Sequence, residues 1–104
     1  MLRLIPILAL LTAPAFAQVP DTPSGQAMAA IDMQAAEMLD VPLTGDADLD
    51  FVRAMVPQHQ RAIELAEVVL THGYSPEVRA MAEEVIATRR PQLEEMLVWL
   101  ARHE

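Results

Sequence analysis

The 104-residue sequence has no cysteine, no lysine, three glycines and only four aromatic residues. Without cysteine there is no disulfide framework, no zinc–thiolate site and no thiol catalysis. That absence does not fix the compartment, because exported proteins also dispense with cysteine. Without lysine, every cationic side chain apart from histidine is one of seven arginines, set against fifteen carboxylates for a net charge of −8. An acidic surface of this kind argues against nucleic acid and anionic membranes as partners and attracts cations. The scarcity of aromatics (Phe16, Phe51, Tyr74 and Trp99) leaves the filling of the core to Ala, Leu, Val and Met, a composition that favours helices over sheet. There are no strand signals and no repeats. Ser24 and Ser75 are the only serines, and no nucleophile–base pair, glycine-rich phosphate loop or basic aromatic patch is visible. The chain reads as a non-enzymatic, all-α protein.

Its first segment reads as a signal peptide. In Met1–Ala17, Arg3 supplies the positive start, Leu4–Leu11 the apolar stretch, and Ala15-Phe16-Ala17 a small-residue cleavage site. The apolar run is interrupted by Pro6 and Pro14 and is shorter than the ~20 residues a membrane span needs. Cleavage after Ala17 would yield Gln18–Glu104, with six arginines against fifteen carboxylates and a net charge of −9. No cysteine is present for lipid attachment, so the expected product is periplasmic or secreted, with no membrane anchor after cleavage. A single domain of this size retains ~3–5 kcal/mol of net stability, which leaves room for a homo-oligomer or a bound ion without requiring either.

After a proline-containing linker over 18–24, residues 25–104 read as three helices. The first, Gly25–Asp40, places Met28, Ile31, Ala35 and Met38 on one stripe, with Met33 opposite and Ser24 as a candidate cap. Pro42 and Gly45 mark a loop, and Asp46 or Asp48 suits the next N-cap. The central helix, Leu49–His72, has an expected seam of Val52, Met55, His59, Ala62, Ala66 and Val69. Gly73 is expected to end it, with His72 in its last turn. Ser75-Pro76-Glu77 is a strong start for the third helix, with Ser75 as N-cap and Pro76 at N1. That helix is expected to run to about Arg102 on a seam of Val78, Ala82, Val85, Arg89, Gln92, Met96 and Trp99 or Leu100. Pro57 and Pro91 lie inside the second and third helices, where each removes a backbone donor and predicts a kink. A short first helix followed by a long αα-hairpin is the expected architecture.

Met55 and His59 share one helix face at i, i+4, and Met96 sits on the seam opposite. Two thioethers and an imidazole suit Cu(I) or Ag(I) far better than hard divalent ions. The signal is weak, because methionine stripes at helical spacing are usually core gap-fillers and a lone histidine on an apolar seam is more often hydrogen-bonded in the core than a ligand. Arg89 and Gln92 interrupt the apolar seam of the third helix and need partners if buried; Glu64 and Glu67 are candidate partners for Arg89. His103 is expected to fray with the terminus, and Glu83-Glu84 and Glu94-Glu95 to be solvated.

From about Leu43 to Leu100 the sequence resembles the domain-of-unknown-function 305 family of exported bacterial proteins. The resemblance rests on TGDAD followed by DF, Met-Val-Pro with a following His-Gln, an Ala-Ile step, a glycine followed by Pro-Glu-Val-Arg, and Met96 three residues before Trp99-Leu100. It implies a small ferritin-like helical bundle and, as in some members, periplasmic copper binding through Met and His in copper handling or tolerance. Met55, His59 and Met96 are the positions that match that implied ligand set. The sequence departs from the family where Gln58 replaces the first of two histidines, Leu65 a methionine, and Arg89 and Gln92 a glutamine and a glutamate. Pro91 is a further departure. These departures imply an alternative: a metal-free helical interaction or structural module with a degenerate site.

Overall fold

Helix α1 spans Pro23–Leu39, α2 Ala47–His72 and α3 Pro76–His103 in a computed structural model that describes residues 18–104. The all-α expectation holds: the described residues contain three helices and no strand. The signal-peptide reading falls on residues 1–17 and lies outside the described residues.

Local chemistry sets each boundary. Pro23 occupies the first turn of α1, where its fixed φ and missing N–H cost nothing. The cap is therefore Thr22, whose Oγ1 accepts from the Gly25 N–H at 3.0 Å, rather than Ser24. The helix thus begins inside the segment expected to be linker. Asp46 caps α2 by accepting from the N–H groups of Asp48 and Leu49 at 3.0 and 3.1 Å. Before it, the backbone turns at Gly45 with φ of 90°, a conformation glycine adopts without strain. Asp50 braces this turn from within α2: Oδ1 accepts from Thr44 N–H and Oγ1–H, and Oδ2 from Gly45 N–H. Those donors, the Thr44 backbone first, hold the Asp50 carboxyl below its ordinary value.

Gly73 ends α2 for a different reason from the one expected. Its φ is −77°, not left-handed, and its N–H bonds the Val69 carbonyl. A Cβ at Gly73 would lie 2.6 Å from that same oxygen, so close approach of backbone to backbone is what requires glycine here. Ser75 then caps α3 through Val78 N–H, with Pro76 in its first turn, as expected. Arg79 reaches back from α3 to the carbonyls of Leu70 and Gly73 and ties the turn shut. Both α2 and α3 continue as helix through Pro57 and Pro91.

Helices α1 and α3 each pack on α2 and not on each other. The central helix therefore buries two faces. Toward α3 the buried stripe is Val56, His59, Ile63 and Ala66, a 3–4–3 spacing. Toward α1, Pro57, Gln60, Arg61 and Glu64 border a shallow groove with Ile31, Gln34, Ala35 and Met38. Arg61 pairs with Asp32 across that groove at 2.7 Å. This corrects the expected seam, which named Met55, Ala62 and Val69 where Val56 and Ile63 are the more buried residues. On α3, Ala82 is buried and Ile86 and Leu93 are half-buried, whereas the expected seam residue Val78 is exposed. The apolar residues classed as buried are Ala35, Val56, Ile63, Ala66 and Ala82, and no large side chain among the described residues is completely enclosed.

Candidate functional site

The stripe that joins α2 to α3 is apolar except at one place. His59 is 8% exposed and is the buried polar residue of this interface. Its Nδ1 lies 2.9 Å from the Met55 carbonyl, one turn back. A carbonyl only accepts, so Nδ1 carries the proton, and in the neutral ring Nε2 is left as an acceptor facing α3. Two α3 side chains meet it there. Arg89 Nη1 lies 3.3 Å from Nε2 and donates to it. The Gln92 amide lies 3.1 Å from Nε2 through the atom assigned as Oε1. With Nε2 an acceptor, that amide is satisfied when it is turned to present N–H instead. Every buried side-chain polar atom among the described residues has a partner.

The two residues that broke the α3 seam thus share one partner, His59. This corrects the pairing expected of Arg89. Glu67 pairs with the next arginine, Arg90, at 3.1 Å, while Arg89 turns to the imidazole. The sequence could not separate the two: adjacent arginines on a helix differ by about 100° in direction, and only the rotation of α3 decides which one faces His59.

Met55 and Met96 flank this contact on the same side. In an antiparallel pair, four residues back along α2 and four forward along α3 move in the same direction. Starting from His59 and Gln92, those steps arrive at Met55 and Met96, so the two residues stand at one level of the hairpin, a turn from His59. Both are half-buried. The three residues expected as ligands are therefore neighbours along one strip of the hairpin. In this arrangement the imidazole lone pair that would face a cation is taken by N–H donors, and a guanidinium stands where a metal ion's charge would have to go. The donor set as arranged does not fit a bound cation. Among the described residues there is also no cluster of three or more His, Asp or Glu that could hold a metal ion.

The remaining histidines are elsewhere. His72 is exposed in the last turn of α2, as expected. His103 does not fray: its Nδ1 donates to the Trp99 carbonyl at 2.7 Å, and its ring stacks on the Trp99 indole at 3.9 Å. The i, i+4 spacing of Trp99 and His103 was the available signal for that stack. Glu83, Glu84, Glu94 and Glu95 are exposed.

No curated protein and no solved structure matches the chain. A family profile does match residues 48–104, which are α2 but for its first residue, the turn, α3 and the C-terminal residue, including every residue of the His59 contact. The chain belongs to the family described as domain of unknown function DUF305.

Proposed function

We propose that this protein is an exported, non-enzymatic helical interaction module in which the contact of His59 with Arg89 and Gln92 stands where the family resemblance implies a soft-metal site. One observation carries this reading: the Arg89 guanidinium donates to His59 Nε2. That bond occupies the lone pair a Cu(I) ion would need and places a positive charge beside it. The leader-like Met1–Ala17 supports export to the periplasm or beyond. The acidic charge balance supports a protein rather than a nucleic-acid partner.

A second reading, binding of Cu(I) or Ag(I) for copper handling, is favoured by the common level of Met55 and Met96 beside His59. It requires Arg89 to leave the imidazole, and Arg89 is an exposed residue that can swing into water. Titration of the purified protein with Cu(I) against a competing chelator separates the two. The metal-free reading expects the native protein and the Met55→Leu/His59→Ala double variant to compete equally weakly. Competition by the native protein that the double variant loses would establish the copper reading instead.

A further inference from the structure

Helix α2 has a third face, and the structure leaves it uncovered. At 100° per residue, the stripe toward α3 and the face toward α1 leave a wide sector through Phe51, Met55, Gln58, Ala62 and Leu65. On α3 the adjoining sector runs through Val78, Met81, Val85 and Trp99. The Arg90–Glu67 ion pair lies on the opposite, α1-facing side of the hairpin, so the two apolar sectors open on the same side. Phe51, Val78 and Met81 are 61%, 45% and 62% exposed there. None of the fifteen carboxylates falls among the named α2 residues or among Val78, Met81 and Val85, and Arg89 is turned toward His59; Glu94, Glu95 and Arg102 border Trp99 at the other end of α3.

We infer that this face is an interface between two copies of the chain, which meet hairpin to hairpin as a four-helix core with an α1 on each outer side. The inference rests on the interaction-module reading and names its partner. Three observations select a second copy. The first is size: 26 residues of α2 give ~39 Å of length, and two adjacent helices give ~20 Å of width, hence ~800 Å² per copy, the area of a standard stable interface. The second is charge. Two copies of a strongly acidic chain repel wherever carboxylates meet, and between Phe51 and Leu65 on α2 and between Val78 and Val85 on α3 this face presents none. The third is the core. No large side chain among the described residues is completely enclosed, and a domain this small gains the enclosure it lacks by closing a two-fold interface.

Sedimentation of the protein purified from cells expressing the full chain tests this. At ~100 μM an interface of this size gives a dimer mass. Phe51→Asp and Met81→Asp each add one carboxylate per copy to the apolar face and are expected to weaken the dimer at least ~tenfold, with helix content unchanged by circular dichroism. Met33→Asp, on the far side of α1 and 69% exposed, is expected to leave the dimer intact. Because the chain has no cysteine, Ala62→Cys supplies a single thiol within the face, and a short bis-maleimide is expected to join two copies through it but not through Met33→Cys. A monomer mass at ~100 μM, or a dimer broken by Met33→Asp and untouched by Phe51→Asp, overturns the proposal. Copper titration of the same samples reads the metal question independently, so failure of the dimer and failure of the metal-free reading remain distinguishable.

Discussion

Helix α2 is flanked by two partners that hold it in different ways. Its α3 side is a heptad-like apolar stripe with one fully satisfied polar contact, closed at one end by a turn of three residues, Gly73–Ser75. Its α1 side rests on Ala35, the buried ring of Pro57 and an exposed ion pair. The family match covers the first of these interfaces and stops short of the second. The difference teaches that the hairpin carries the larger apolar contact of the domain, and that α1 is held on α2 by a smaller one.

The contrast can be broken most forcefully at Ile63, which is 6% exposed. Ile63→Ala is expected to lower stability by about 2–4 kcal/mol, read from the urea midpoint at unchanged slope. A loss below about 1 kcal/mol would mean that the hairpin stripe is not the principal core. His59→Ala should cost about 2 kcal/mol, because it leaves a cavity in the buried stripe, while the exposed Arg89 and Gln92 can turn to water. Arg89→Ala should cost less than His59→Ala, since Gln92 can still satisfy Nε2; equal costs would show that the guanidinium is the essential member. Gly73→Ala should cost about 1 kcal/mol or more, through the clash with the Val69 carbonyl, with thermal unfolding as the readout. On the other side of α2, Asp32→Ala removes only an exposed ion pair and should cost about 0.5 kcal/mol or less. A large loss there would erase the distinction between the two interfaces.

The smallest effect is at Asp50 and depends on pH. Its carboxyl is held below the ordinary value in the folded chain, so its contribution is present above the unfolded-state value and is lost as pH falls through the folded one. Asp50→Asn should flatten the acid limb of the stability curve and leave the slope near neutral pH unchanged. Thermal midpoints measured across the acid range would show it.

Much of the fold was legible because its signals are local. Ser75-Pro76-Glu77, Gly73, and Asp46 ahead of an apolar periodicity each mark a helix end through chemistry confined to a few residues. The phase of α2 was not legible, and the reason is physical. The helix carries apolar residues on more than one stripe, and periodicity cannot say which of them a partner covers. The expected seam mixed Val52, His59 and Ala66, from the α3 side, with Met55, Ala62 and Val69, from the face left open or beside α1. The same ambiguity hid Ile86 and Leu93 on α3. At the site, the identities of His59, Arg89 and Gln92 as out-of-place polar residues were readable. Their mutual contact was not, because it joins positions about thirty residues apart through one rotation of α3.

The three-residue turn between α2 and α3 has a kinetic consequence. Loop closure there is cheap, so contacts next to Gly73 form at little entropic cost and the two helices can zip outward from the tip. His59 lies about halfway along that path. A helix pair zipped one turn out of register would reach the midpoint with a buried imidazole facing side chains other than Arg89 and Gln92, and would pay for it before the distal half had closed. The polar contact therefore penalises misalignment at the midpoint of the hairpin, where reopening half of it is enough to restore the register.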